Sequence, residues 1–307
     1  MQIATADTKQ VLSDTENSIM NNEIADKRSD KFNEVLPSGE CGCGGGGPMQ
    51  LVFALGELDY DFGKETRLDY FAQHIFPNSP TRAIPKDDFL EYLSQNPFEA
   101  QTVNWILTLD STPIYAIVPS GPFANIAYER LREAVQDNKV ERVSIPGYIA
   151  GEVRLMSGQI VPAIVPELGG MYSWSTSALI EALTDSLPDE ITTDQLLERI
   201  EDYLNRIYYE YRNLGITAQD RALNFSATNA FEAGIVISSG LAEDKVMDTI
   251  EVEKSPICRP DSECYDVVIT FFDPENERRS RSAMRFTVDV SDVIPVLIGT
   301  PRRWRLR

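Results

Sequence analysis

Histidine is almost missing from this chain: His74 is the single one in 307 residues. Hydrolysis by a serine or cysteine nucleophile of the triad type needs an imidazole as general base, so that chemistry runs through His74 or not at all. His74 stands in Gln73-His-Ile-Phe76, near the end of an expected helix, and no Gly-x-Ser-x-Gly or Gly-Thr-Ser motif occurs in the chain. It reads as a helix-end histidine bonded to the last carbonyls. Positive charge is scarce as well. With 28 Lys and Arg against 48 Asp and Glu, the net charge is −20, which repels a phosphate backbone unless a basic patch is segregated on one face. Nucleic acid is therefore not an expected partner. Long apolar runs are also lacking: Ile114 to Val118 and Val293 to Ile298 are strand-sized, far short of the roughly 20 residues that span a bilayer as a helix. No membrane association is expected. Residues 1–20 have neither the basic nor the apolar region of a secretory signal, which gives a cytoplasmic expectation. In that compartment thiols stay reduced or bind metal.

What the chain does contain is enough apolar sequence, 42%, to build a substantial core. Residues 1–48 are poor in it: an acidic, polar stretch with scattered hydrophobes ends in Cys41-Gly-Cys43 and Gly44 to Gly47, and reads as a flexible linker. The glycines lack the Lys-Ser/Thr of a phosphate loop. From residue 49 to 170 the periodicity predicts an α+β lobe. A strand over Leu51–Tyr60 is followed by helices over Lys64–Ile75 and Lys86–Gln95. A hairpin from Val103 to Val118 turns at Asp110-Ser-Thr-Pro113. A helix over Phe123–Val135, with Ile126, Ala127, Leu131 and Val135 inward, precedes a hairpin over Tyr148–Val165 around Ser157-Gly158. A boundary is expected at Glu167–Gly170. The second lobe, 171–307, reads as helices over Ser175–Leu187, Thr193–Leu214 and Ala218–Ala233, then strands over Asp248–Ile257, Tyr265–Phe272 and Ala283–Val290, with a turn at Asp273-Pro-Glu-Asn276. The expected fold class is thus α+β, two lobes of mixed helices and antiparallel hairpins. Tyr203, Tyr208, Tyr209 and Tyr211 surround the longest helix, which suggests a helix either sandwiched between layers or covered by a partner, as in a homodimer.

The stretch Leu51-Val-Phe-Ala-Leu-Gly-Glu-Leu-Asp-Tyr-Asp-Phe62, the helix from Glu65 to Phe71 and Arg221-Ala-Leu-Asn-Phe-Ser-Ala-Thr-Asn-Ala-Phe231 resemble the C-terminal domain of PatA- and PatG-type cyanobactin (patellamide) maturation proteins. The resemblance covers roughly residues 48–307, and the CGCGGGG segment favours the PatG type. It implies a domain that follows a subtilisin-like protease in proteins that cleave and macrocyclise ribosomal peptides. It carries no established reaction for the domain. The expectation is a non-catalytic structural or interaction domain, not an enzyme, whose partners are precursor peptide or other maturation enzymes. The alternative is an enzyme domain acting on the precursor or cyclic peptide through an unrecognised site.

Four cysteines are the strongest candidate site. Cys41 and Cys43 are spaced C-x-C, and Cys258 and Cys264 are spaced C-x5-C. Two short-range pairs far apart in sequence suit a closed tetrahedral Zn(II) site, whose four thiolates leave no position for a reacting water. The expected cofactor is therefore a structural zinc on Cys41, Cys43, Cys258 and Cys264. A hairpin disulfide between Cys258 and Cys264, and unpaired thiols, remain as alternatives. The acidic pairs Asp59 with Asp61 and Glu141 with Glu152 have the composition of an acid and base pair but read as strand caps and surface residues in so acidic a chain. The end of the chain, Arg302-Arg-Trp-Arg-Leu-Arg307, reads as a solvated tail or clasp, with docking of an acidic partner as the alternative.

Overall fold

The computed structural model describes residues 49–78, 81–175, 213–228, 245–276 and 278–306, with positions 194, 198, 201, 202 and 205–207. The chain divides into residues 1–39 and 40–307, and everything described belongs to the second unit. The helices expected over Ser175–Leu187 and Thr193–Leu214, the four tyrosines of the latter, Cys41 and Cys43 lie outside the described residues, apart from scattered positions.

The first sheet closes on itself. Strand β1 (Leu51–Asp61) is followed by helices α1 (Glu65–Ile75) and α2 (Lys86–Gln95), a 3-10 segment at Pro97–Thr102, and the hairpin β2 (Asn104–Leu109) and β3 (Thr112–Ile117). Asp110 and Ser111 at the turn both have positive φ, 51° and 58°, the type I′ geometry whose twist matches that of a two-residue hairpin. Helix α3 (Ala124–Gln136) leads into the long strand β4 (Arg142–Arg154), which pairs with β5 (Ile160–Pro166). The order is β1-β2-β3-β5-β4, closed by antiparallel pairing of β1 with β4 from Leu51↔Tyr148 to Gly56↔Val143. β3 and β5 are parallel. A five-stranded barrel with this order and a helix between β3 and β4 has the plan of the OB-type barrel. β6 (Tyr172–Trp174) is added to β4 at Arg142–Ser144, so the first sheet runs on past the segment 167–170.

Alternation along the strands separates the faces. Val52 and Ala54 of β1, Trp105 and Leu107 of β2, Tyr115 and Ile117 of β3, and Val143 and Ile145 of β4 share one core with Phe71, Phe89, Leu90, Leu93, Leu131 and Val135 of the helices. α2 buries the three residues its periodicity predicts, Phe89, Leu90 and Leu93. In α3, Tyr128 takes the inward place expected of Ile126, which is 45% exposed. Ile126 sits two positions ahead of Tyr128, on the far side of the 3.6-residue turn.

The second sheet is antiparallel, in the order β10-β9-β8-β7: β7 (Val246–Lys254), β8 (Cys264–Phe272), β9 (Ser282–Asp289) and β10 (Val296–Arg305). Asp273 makes the turn after β8, its Oδ1 accepting from the backbone N–H groups of Glu275 and Asn276. Here the tail reading of the C-terminus is corrected. Arg302–Arg305 form the second half of β10 and pair with Arg285–Ser282, because the edge of β9 offers a full ladder and Leu306 N–H closes it on Arg281 O at 2.7 Å.

Helix α4 (Ala218–Thr228) joins the two sheets. Leu223 and Ala227 pack with Leu55 of β1 on one side and with Val267, Ile269 and Phe286 on the other. Asn224 Nδ2 donates to Phe53 O at 2.8 Å, and Arg221 donates to Ile216 O and Val290 O, each at 3.0 Å. These bonds satisfy buried carbonyls that no strand reaches. The overall class is α+β and strand-dominated.

Candidate functional site

The structure brings together two of the four cysteines singled out from sequence. The loop 255–263 joins β7 to β8 and is closed by Ser255 N–H on Cys264 O at 2.9 Å. Asp261 at φ 66° makes the sharp turn, and Ser262 N–H returns to Arg259 O at 3.1 Å. This folds Cys258 back so that its thiol donates to Ser262 O at 2.9 Å. Cys264 opens β8 and is fully buried. Burial, and after it the neighbouring Cys258 thiol, push the Cys264 thiol up to about 12. A desolvated thiol of this kind stays protonated and inert unless a cation offsets the thiolate charge. Both cysteines are free. Among the described residues no group of three or more His, Cys, Asp or Glu side chains converges as a metal site, and the other two expected ligands lie outside that set.

The remaining candidates are placed as structural groups. His74 Nδ1 lies 2.8 Å from Tyr70 O one turn back, and its ring lies 4.0 Å from that of Tyr70. Asp59 accepts from Tyr60 N–H, and Asp61 Oδ1 accepts from Gly63 N–H at 2.7 Å and Met156 N–H at 3.0 Å, so this pair caps strand ends. Glu141 and Glu152 stand near opposite ends of β4, on the order of 30 Å apart along a strand, too far to share a substrate atom.

One concavity among the described residues was not visible in the sequence. A cavity of about 430 Å³ opens between α3 and the β4–β6 edge. Its floor is apolar, with Leu58, Val143, Ile145 and Met171, and Arg130, Glu133, Asp137 and Ser173 supply polar groups. Arg130 Nη1 donates to Leu168 O at 3.0 Å, which ties α3 to the 3-10 turn (Leu168–Gly170) before β6. Among the described residues β6 pairs only with β4. The groove is assembled from the consecutive elements α3 and β4, with Leu58 of β1 and Met171–Ser173 added from either side, and the pairing that brings these last two in leaves no local pattern. The only signal in the sequence was the Gly169-Gly170 pair: a Cβ on Gly170 would come within 2.6 Å of Pro146, so glycine there lets the chain approach β4 and start β6.

A solved structure described as the "PatG Domain of Unknown Function" matches this chain at 39% identity with a TM-score of 0.76, over 84% of this chain and 100% of that one. The chain belongs to the PatG family of domains. Two family descriptions match separate segments, PatG Domain over residues 51–151 and PatG C-terminal over 190–304. In PatG terms the first covers β1 through most of β4, and the second covers α4 and the second sheet. Neither includes β5 or β6. A search of the curated proteins finds no match. Among the described residues no helix is long and apolar enough to cross a membrane.

Proposed function

We propose that this PatG-family chain is a non-catalytic interaction domain of a cyanobactin maturation protein, and that it holds precursor peptide in the groove between α3 and the β4–β6 edge. The observation that carries the reading is the groove itself. A cavity of about 430 Å³ has the size of a site for a few side chains, and an apolar floor with a few polar groups is the usual make-up of a ligand site. β6 offers the second element, since an extended peptide adds to a sheet edge through main-chain hydrogen bonds and sends alternate side chains into the groove. The family resemblance supplies the partner class; the OB-type plan adds no weight, because a fold does not fix a function.

The test is binding of a labelled cyanobactin-type precursor peptide to the full chain, measured by fluorescence anisotropy. Ser173→Trp places a bulky ring in the groove at an exposed position, and affinity is expected to fall about tenfold or more, equivalent to ~1.4 kcal/mol. Unchanged affinity in that variant removes the groove from the reading. Mass spectrometry of the same mixtures is expected to show uncleaved, uncyclised peptide. Turnover that persists through purification and is lost on a point substitution in this chain would establish the enzyme reading instead.

The zinc expectation joins this proposal. Cys258 and Cys264 are brought together at one end of the second sheet, and with Cys41 and Cys43 they make a set of four soft ligands that suits a structural Zn(II). Protein purified without chelator is expected to contain about one zinc per chain, or about one half if the ion joins two chains in a homodimer. Cys258→Ser should lose the metal and melt at lower temperature. Metal-free protein together with an unchanged melting curve for the variant would end the assignment.

A further inference from the structure

The face of the second sheet turned away from α4 carries a second built site. Met284, Phe286 and Val288 of β9 face the core, so Arg285 and Thr287 face the other way. Arg285 Nη1 donates to Asp266 Oδ2 at 3.0 Å and Thr287 Oγ1 donates to Asp266 Oδ1 at 2.6 Å. Asp266 is fully buried, and the pair holds the guanidinium in one orientation. In β10 a register shift falls between Ile298 and Arg302, and within it Gly299 has φ +73° with open space where a Cβ would stand. Bulges of this kind re-aim side chains at sheet edges. This one opens a cavity of about 210 Å³ whose wall includes Ile257, Arg285, Thr287, Ile298, Thr300 and Arg302.

The charges in this cavity do not balance. Arg302 is the register partner of Arg285, and like charges directly opposite across a ladder destabilise it. Asp266 neutralises Arg285 only. Among the described residues Arg302 has no carboxylate partner. Of the arginines on β9 and β10 only Arg285 and Arg302 line the cavity, while Arg279 and Arg281 nearby in the chain are paired with Asp273 and Asp248. Trp304 lies with its ring 6.0 Å from the Arg285 guanidinium and is 38% exposed.

We propose that this cavity binds the carboxylate of an acidic peptide side chain, with Arg302 as its main partner, Arg285 as the pre-oriented second donor and the Thr287 and Thr300 hydroxyls beside them. The choice of carboxylate follows from the walls. A guanidinium fork matches a carboxylate in two parallel bonds, and the Ile257 and Ile298 side chains give the methylenes behind a Glu or Asp carboxylate an apolar surface, which inorganic phosphate would leave unused. The site stands on the second sheet and does not depend on the groove reading.

Calorimetric titration of the full chain with the blocked peptide acetyl-Ala-Glu-Leu-Glu-Ala-amide is expected to show saturable binding. Affinity should fall about tenfold or more in Arg302→Gln and less in Arg302→Lys, which keeps the charge and loses the fork. The peptide with Gln in place of both Glu should not bind. Three results each overturn the proposal: no binding of the Glu peptide, equal binding of the Gln peptide, or unchanged affinity in Arg302→Gln. Inorganic phosphate that displaces the peptide at equal concentration overturns it in favour of a small-oxyanion site. Arg302 is exposed, so Arg302→Lys is expected to melt with the wild type and Arg302→Gln, which removes one of two opposed like charges, at the same temperature or slightly higher; circular dichroism checks that.

Discussion

Gly215→Ala should cost this protein about 3 kcal/mol of stability or more, against about 1–2 kcal/mol for Gly121→Ala. Both glycines have positive φ, 72° and 81°, so both substitutions carry the left-handed backbone penalty. They differ in what a Cβ meets. At Gly121 nothing lies within 4 Å, whereas at Gly215 the Cβ would stand 2.0 Å from Phe53 O. That backbone cannot give way without loss. Phe53 N–H donates to Gly215 O at 2.9 Å, Asn224 Nδ2 donates to Phe53 O at 2.8 Å, and the Tyr115 hydroxyl donates to Leu214 O at 2.8 Å. Residues 214–215 thus close on β1 and β3 and tie them to α4, and an added methyl pushes on all three bonds. For a domain of this size the loss corresponds to roughly 6–12 °C in Tm. Urea unfolding of the two variants measures the difference, and equal costs would show that backbone conformation alone, with no steric clash, sets the requirement for glycine at 215.

The same clasp explains what was legible in the sequence. Arg221–Phe231 was one of the stretches on which the family resemblance rested, and its start is the helix that staples the barrel to the second sheet through Arg221 and Asn224. The described part of the stretch, Arg221–Thr228, serves the fold. Local periodicity located β1, α1, α2, α3 and the first hairpin of the barrel to within two residues, because each buries a face with its own repeat, whereas the hairpin expected from Tyr148 missed the first six residues of β4. Barrel closure was not readable. It depends on the pairing of Leu51–Gly56 with Val143–Tyr148, two segments about ninety positions apart, and on the parallel contact of Ala116 and Ile117 with Ala163 and Ile164, and neither leaves a mark in local composition.

The candidate sites divide in the same way. In the structure the C-x5-C segment is a loop that brings Cys258 beside Cys264, because five intervening residues with a left-handed Asp261 suffice for the turn. The arginine-rich end was misread as a tail because Pro301 and four arginines between 302 and 307 argue against a strand when taken alone. In the sheet that segment is the edge strand, where Pro, charged residues and a bulge are tolerated and deter pairing with other chains. The buried Asp266 beneath Arg285 carried no signal, since an isolated Asp in an apolar strand reads equally well as a surface residue.

Asp266→Ala is expected to destabilise the protein by about 3 kcal/mol, the lower end of the range for breaking one side of a buried ion pair. Asp266 is fully buried, but the Arg285 side chain retains 21% exposure, and water reaching the guanidinium offsets part of the loss. The Thr287 hydroxyl also loses its acceptor. The double variant Asp266→Ala with Arg285→Leu should recover most of the stability, because it removes the uncompensated charge and leaves apolar surface in its place. If the double variant is as unstable as the single one, the cost lies in packing around residue 266 and not in the ion pair. Asp266→Asn separates stability from binding. It removes one negative charge while keeping an oxygen for Thr287, so stability should fall by less than in Asp266→Ala. The cavity then gains a net positive charge, and the Glu peptide should bind more tightly than to the wild type. A change that lowers Tm and raises affinity has opposite signs in the two measurements, which general loosening of the sheet does not produce. Affinity falling together with Tm would show that Asp266 serves the site only by holding Arg285 in place.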